Sequence, residues 1–300
     1  MPKALCDEQA KTPTVTIGMP VFNGERFIRK ALDSALNQTF SDFEIIISDN
    51  NSNDATQTIC CEYAARDSRI NYIRHEKNFG VHWNFSFVAR RATGRFYTWL
   101  AHDDTLEPQF LDLTVRYMFQ NPGTVLAACD FAIIDENGTE LRFEKLETLR
   151  DSLAWEDRRV PFFAYGHSNI YFCTYGMMQT AICKSIIADV KERKMLAGSE
   201  YPIIARFAAS GEITSLPFVL RTHRSHSSSA FQTETRENMQ RDKLSRIAFF
   251  YSNLFVMRVD LFKVVLGSAL TTRDKIKILR WHMFNDLKWF RSKMGELFSI

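Results

Sequence analysis

From Phe96 to Asp104 the sequence FYTWLAHDD breaks from an apolar run into two adjacent carboxylates, Asp103 and Asp104. Such a run reads as a buried strand, and acids at its carboxyl end stand where open α/β sheets bind ligands. Neighbouring carboxylates repel one another, so a cation is expected to compensate them. Hard Mg2+ or Mn2+ ions with oxygen ligands suit that place, together with a diphosphate. A second reading stays open: a solvated Asp-Asp turn ahead of a helix, with Glu107 and Pro108 in its first turn.

Two earlier apolar runs close in the same way. Thr14 to Phe22 (TVTIGMPVF) has a strand pattern and ends at the turn pair Asn23-Gly24, and Phe43 to Ser48 (FEIIIS) ends in Asp49, Asn50, Asn51, Ser52, Asn53 and Asp54. Between them Phe27, Ile28, Ala31, Leu32, Ala35 and Leu36 fall at helical spacing. A helix capped by Asp54 and running through Arg66, a short strand at Ile70 to Ile73 and a helix from Val81 to Ala92 continue the alternation. Alternating strands and helices imply parallel pairing with right-handed crossovers. The segments Pro20 to Asn23, Asp49 to Asp54 and Asp103 to Asp104 then open on one edge.

The stretch MPVFNGERFIRKALDSALNQTFSDFEIIISDNNSND, taken with GRFYTWLAHDD, resembles the family-2 glycosyltransferases, and the likeness runs from Thr12 to Ser229. The resemblance implies an α/β fold of GT-A type: a mostly parallel central sheet flanked by helices. It also implies inverting, metal-dependent transfer of a sugar from a nucleotide diphosphate donor to a saccharide or lipid-linked acceptor, in surface polysaccharide or glycolipid synthesis. On the same footing Pro20, Phe22 and Asn23 would wall the nucleobase and ribose, Asp104 would hold Mn2+ or Mg2+, and Asp103 would lie nearer the ribose. Where the family carries two consecutive acids this chain has Asp49 followed by Asn50, whose amide both accepts and donates. UDP is favoured over dTDP or GDP. The departure at Asn50 keeps a non-catalytic, nucleotide-sugar-binding scaffold as the alternative.

The remaining chemistry is expected in the second half. Gly198-Ser199-Glu200-Tyr201-Pro202 resembles the site of the family's acidic base, so Glu200 is the candidate to take the acceptor proton. The alternative is an acid that stabilises a helix N-terminus. Leu220 to Ser227 (LRTHRSHS) resembles a stretch whose Arg and His lie near metal and phosphates. Arg221 would clamp the diphosphate and His223 would complete the metal shell, with His226 and His102 nearby. A solvated basic turn is the alternative.

Composition sets the bounds. The chain has 300 residues, 45% of them hydrophobic, enough for a full core. A formal charge of +3 without a Lys/Arg block gives no reason to expect nucleic acid. The six cysteines show no CxxC spacing and read as reduced core residues, which implies a cytoplasmic setting. No signal core is expected in the first residues. No membrane span is expected at Phe249 to Leu270, which Arg258, Asp260 and Lys263 interrupt.

The expected organisation is a GT-A domain over 1–230, with its nucleotide half ending near Pro122, and a helical appendage over 231–300. Within the acceptor half, Asp135 to Gly138 (DENG) is a turn, Glu140 to Val160 a polar loop, and Tyr171 to Thr180 a strand. Between Thr271 and Ile300 seven bases outnumber three acids, with Trp281, Phe284 and Trp289 among the apolar residues. That pattern admits peripheral contact with the inner face of a membrane, packing on the catalytic domain, or a homodimer contact.

Overall fold

A computed structural model of the chain describes residues 12–146, 170–189, 200–227, 259–268 and 270–280. The first half alternates strand and helix: β1 (Val15–Val21), α1 (Ile28–Leu36), β2 (Phe43–Asp49), α2 (Thr56–Arg66), β3 (Ile70–Arg74), α3 (Val81–Arg91) and β4 (Phe96–Trp99). Every residue of β1 and β4 is buried, as expected of strands covered on both faces. Helix α1 turns Ile28, Ala31, Leu32 and Ala35 inward, one stripe at 3.6-residue spacing. Then follow β5 (Thr105–Leu106), α4 (Phe110–Gln120), β6 (Thr124–Ile134), β7 (Glu140–Glu144), a 3-10 helix (Ile170–Tyr175), β8 (Met177–Gln179), α5 (Thr180–Asp189), α6 (Glu200–Ser210) and β9 (Glu212–Arg224).

Among the described residues these strands form one sheet in the order β3-β2-β1-β4-β8-β6-β9-β5, with β7 paired to β6. The longest ladders, β1 with β2 and β6 with β9, are parallel. The short β8 runs antiparallel to both β4 and β6, so β6 and β9 regain the direction of β4. The carboxyl ends of β1, β2, β4, β6 and β9 therefore share one edge, where Val21 stands opposite Asp49 and Ile134 opposite Arg224.

Two expectations are corrected. The polar loop predicted from Glu140 begins as β7, which pairs with Phe131 to Ile134; its residues are almost all exposed, so polarity hid a strand at the sheet's margin. The strand predicted over Tyr171 to Thr180 is a 3-10 turn followed by only three strand residues. The chain enters the sheet at Gly176, where a Cβ would stand 2.6 Å from the Ala127 carbonyl oxygen. Within the expected appendage, helices α7 (259–267) and α8 (272–280) are described, and Leu261, Val265, Leu270 and Ile278 join the same core as the sheet. Arg206 ties α6 to Asp260 at 3.4 Å. No helix among the described residues is long and apolar enough to cross a membrane.

Candidate active site

At the shared edge the loop after β4 meets the end of β9. The His223 Nδ1 atom stands 3.2 Å from the Asp104 carboxylate, whose Oδ1 also accepts the Arg224 main-chain N–H at 3.0 Å. Pairing of β5 with β9 sets this approach, because Thr105 lies opposite Thr222. The neighbouring acid has its own imidazole: Asp103 Oδ2 lies 2.8 Å from His226 Nε2, and the Asp103 carbonyl accepts Arg224 Nε at 3.1 Å. Phe27, at the start of α1, touches the His226 ring and carries the Arg224 guanidinium on its face, while Phe172 of the 3-10 helix meets His223 edge-on. His102 packs on the β1–α1 turn, where a Cβ at Gly24 would stand 2.7 Å from the imidazole.

The charges of this cluster are interdependent. Burial pushes the Asp103 carboxyl upward, but His102, His226 and His223 together outweigh it and hold the group below its ordinary range. Burial likewise works against a charge on His223, yet Asp104, with help from Asp103, keeps that imidazole above its ordinary value. Among the described residues no group of three or more His, Cys, Asp or Glu side chains is arranged to hold a metal ion. The Asp104–His223 pair nonetheless has a suitable separation. Two adjacent donors on an octahedral ion with bonds of about 2.1 Å lie about 3 Å apart. A carboxylate oxygen and an imidazole nitrogen are donors that Mn2+ accepts, and Mg2+-type ions complete their shells with phosphate oxygens and water.

The first two clusters are laced together. Asn23, at φ 52, donates its N–H to Ser52 Oγ and accepts from Asn53 N–H; Gly24 N–H reaches Thr56 Oγ1, and Glu25 and Asp54 link the same two loops. Left-handed backbone is tolerated by Asn, and Asn51 adopts it too, at φ 66. Phe22 stands 43% exposed at this edge. The residues expected to line the donor do not all reach the surface. Pro20 is buried within β1. Asp49 is wholly buried, accepting Ser52 N–H at 2.8 Å and Tyr72 O–H at 2.7 Å, and so fixes its own loop. Asn50 accepts the Phe79 N–H and donates to Asn78 and to the Gly80 carbonyl, so its amide holds the 78–80 turn.

Arg221 departs furthest from expectation. It is fully buried, bonded to Thr98, Trp99 and Tyr175 and surrounded by the rings of Phe110, Phe131 and Tyr175, so it does not open toward a diphosphate. Glu200 opens α6 as the sequence suggested; its side chain lies outside the described residues. His226 and Arg224 stand closer to the acids than expected: both bond Asp103, and Arg224 also bonds Asp104. Their signal is the density of Arg and His in RTHRSH, of which His223 faces Asp104 and His226 faces Asp103.

Residues 16–184 match the family model "Glycosyl transferase family 2". An uncharacterised glycosyltransferase of Rickettsia typhi is 30% identical over 164 residues, 54% of this chain and 49% of that protein. The putative glycosyltransferase EpsH of Bacillus subtilis is 32% identical over 142 residues, 47% of this chain and 40% of its own. The chain thus spans about half or less of the length of these relatives. Among solved structures, S. aureus TarS 1-349 in complex with UDP-GlcNAc superposes with a TM-score of 0.67 at 16% identity, covering 89% of this chain and 70% of that one. The mannosyltransferase PcManGT from Pyrobaculum calidifontis, in complex with GDP-Man and Mn2+, gives 0.56 at 13% identity, covering 91% and 70%. At these identities the likeness establishes a GT-A-like fold.

Proposed function

The chain belongs to glycosyl transferase family 2, and from that premise we propose that it is an inverting, metal-dependent transferase acting from a nucleoside-diphosphate sugar onto a saccharide or lipid-linked acceptor. The observation that carries this reading is the Asp104–His223 pair at the carboxyl edge, with Asp103–His226 beside it. Asp104 and His223 would hold Mn2+ or Mg2+, which when bound offsets the negative charge that grows on the departing diphosphate. Asp103, oriented by His226, faces the ribose side. Phe22 and the Asn23 turn offer the exposed wall for the base, while Asp49 fixes the Ser52 that accepts the Asn23 N–H and Asn50 holds the neighbouring 78–80 turn. Glu200 takes the proton of the acceptor hydroxyl as it attacks the anomeric carbon from the face opposite the nucleotide. A UDP donor is favoured, in keeping with the UDP-GlcNAc complex of a protein of like fold; the GDP-Man complex of another makes GDP sugars the next to test.

We further propose peripheral contact with an anionic membrane through α8. Ile276 on α8 and Leu266 on α7 are exposed at 46% and 61%, and Arg273 and Arg280 are exposed as well. A thermal-shift screen of nucleotide sugars with and without Mn2+ tests the donor reading. A true donor at about 100 times its Kd stabilises by about 2.7 kcal/mol. Stabilisation without turnover would leave a binding scaffold, and no stabilisation by any nucleotide sugar would overturn the reading.

A further inference from the structure

Arg221 fastens both ends of one loop. The arc from Leu100 to Asp104 carries both candidate site acids. At its start the Trp99 carbonyl accepts from Arg221 Nη2 at 2.7 Å and Thr98 Oγ1 accepts from Nη1 at 3.1 Å. At its end Leu106 stands opposite Arg221 in the β5–β9 ladder, and Glu107 N–H donates to the Leu220 carbonyl at 2.9 Å. The same guanidinium also donates to the Tyr175 carbonyl at the end of the 3-10 helix, whose Phe172 packs on His223. One side chain thus joins β4, β9 and the 3-10 helix behind the acids. A wholly buried charge is costly to maintain, and here the partners that it bonds are neutral oxygens and ring faces.

We infer that Arg221 is a positioning residue: its guanidinium sets the span of the 100–104 arc against β9, and with it the approach of Asp104 to His223, without touching the donor. The inference rests on the reading of Asp104 and His223 as the ion-holding pair. It separates two roles that the residue type alone confuses. A diphosphate clamp needs an open guanidinium, whereas a staple needs a buried planar fork that reaches several carbonyls at once, which Lys cannot reproduce.

The test uses the full chain as wild type, Arg221→Lys, Arg221→Met and Thr98→Val, with Val115→Ala as a control. Val115 is buried in α4 and makes none of the bonds of the Arg221 guanidinium, so its truncation lowers Tm without removing a bond of the staple. Mn2+ affinity is read from the electron paramagnetic resonance signal of the free ion, and backbone hydrogen exchange at residues 100–104 is read without metal. Arg221→Met is expected to weaken Mn2+ binding about 10- to 100-fold, the usual cost of losing support behind a ligand. Arg221→Lys should weaken it less and Thr98→Val least, all three with faster exchange in the arc. Val115→Ala should leave both unchanged despite its lower Tm. If Arg221→Met does not fold, Thr98→Val carries the test, since it keeps the charge and nearly the volume. Unchanged exchange in Thr98→Val and Arg221→Lys overturns the inference. Wild type that fails to bind Mn2+ overturns the metal reading instead, and the exchange result still decides the role of Arg221.

Discussion

His223 Nδ1 stands 3.2 Å from the Asp104 carboxylate across 119 positions of sequence, held there by the pairing of β5 with β9. This contact joins the first half of the sequence to the second, and the metal-holding proposal depends on it.

Asp104→Asn preserves the shape of the side chain, and its oxygen still accepts the Arg224 N–H, so the fold should survive. The negative charge is lost, and a hard cation loses its best ligand. Mn2+ affinity in the presence of UDP, measured calorimetrically, is expected to fall by more than about ten-fold. Full activity with an unchanged Mn2+ dependence would remove Asp104 from the site.

His223 gives a signed dependence on pH. Its folded-state value is raised by Asp104 and Asp103, so the imidazolium adds stability that is fully present below the unfolded value near 6.5 and is lost as pH rises through the folded value. Mn2+ requires the neutral ring, so its affinity should rise over the same window. Urea unfolding of metal-free wild type and His223→Gln should show a larger stability gap at about pH 5.5 than at about pH 8.5. A gap that grows with pH contradicts the assignment.

Membrane contact is tested with Arg273→Glu combined with Arg280→Glu, both on exposed positions of α8. Each basic group near an anionic surface contributes about 1 kcal/mol, so reversing two should sharply reduce co-sedimentation with anionic vesicles at low salt. Added salt should weaken the wild type in the same direction. Equal pelleting of the two proteins would leave packing on the domain or a dimer contact as the role of the helix.

What was legible in the sequence was whatever local pattern encodes. The β1–α1–β2 unit announces itself in continuous apolar runs and a 3.6-residue stripe, and the acid clusters mark the carboxyl edge because parallel strands all end there. Long-range contacts left no such trace. His226 meets Asp103 across 123 positions, a partnership set by β9 lying beyond β6 rather than by any spacing. The resemblance implies an Arg221 at the edge that clamps a diphosphate with its permanent charge; no local pattern encodes the enclosing carbonyls and rings that make its burial tolerable. Cys61 was expected in the core with Cys60, yet adjacent helix residues point about 100° apart, and Cys60 is buried while Cys61 is exposed. Cys129, Cys173 and Cys183 are buried free thiols as expected; Cys6 lies outside the described residues.

The most direct test of the account is transfer by Glu200→Gln compared with wild type, with a nucleotide sugar that stabilises the protein and Mn2+ present, donor affinity measured alongside and the wild-type product read by NMR. The variant keeps nearly the same shape but cannot accept a proton. Donor affinity should stay nearly constant while transfer slows by about 10² to 10⁴-fold, and the wild-type product should have inverted anomeric configuration, because a single displacement leaves no covalent intermediate. Transfer by Glu200→Gln at the wild-type rate, or a product with retained configuration, would contradict the mechanism.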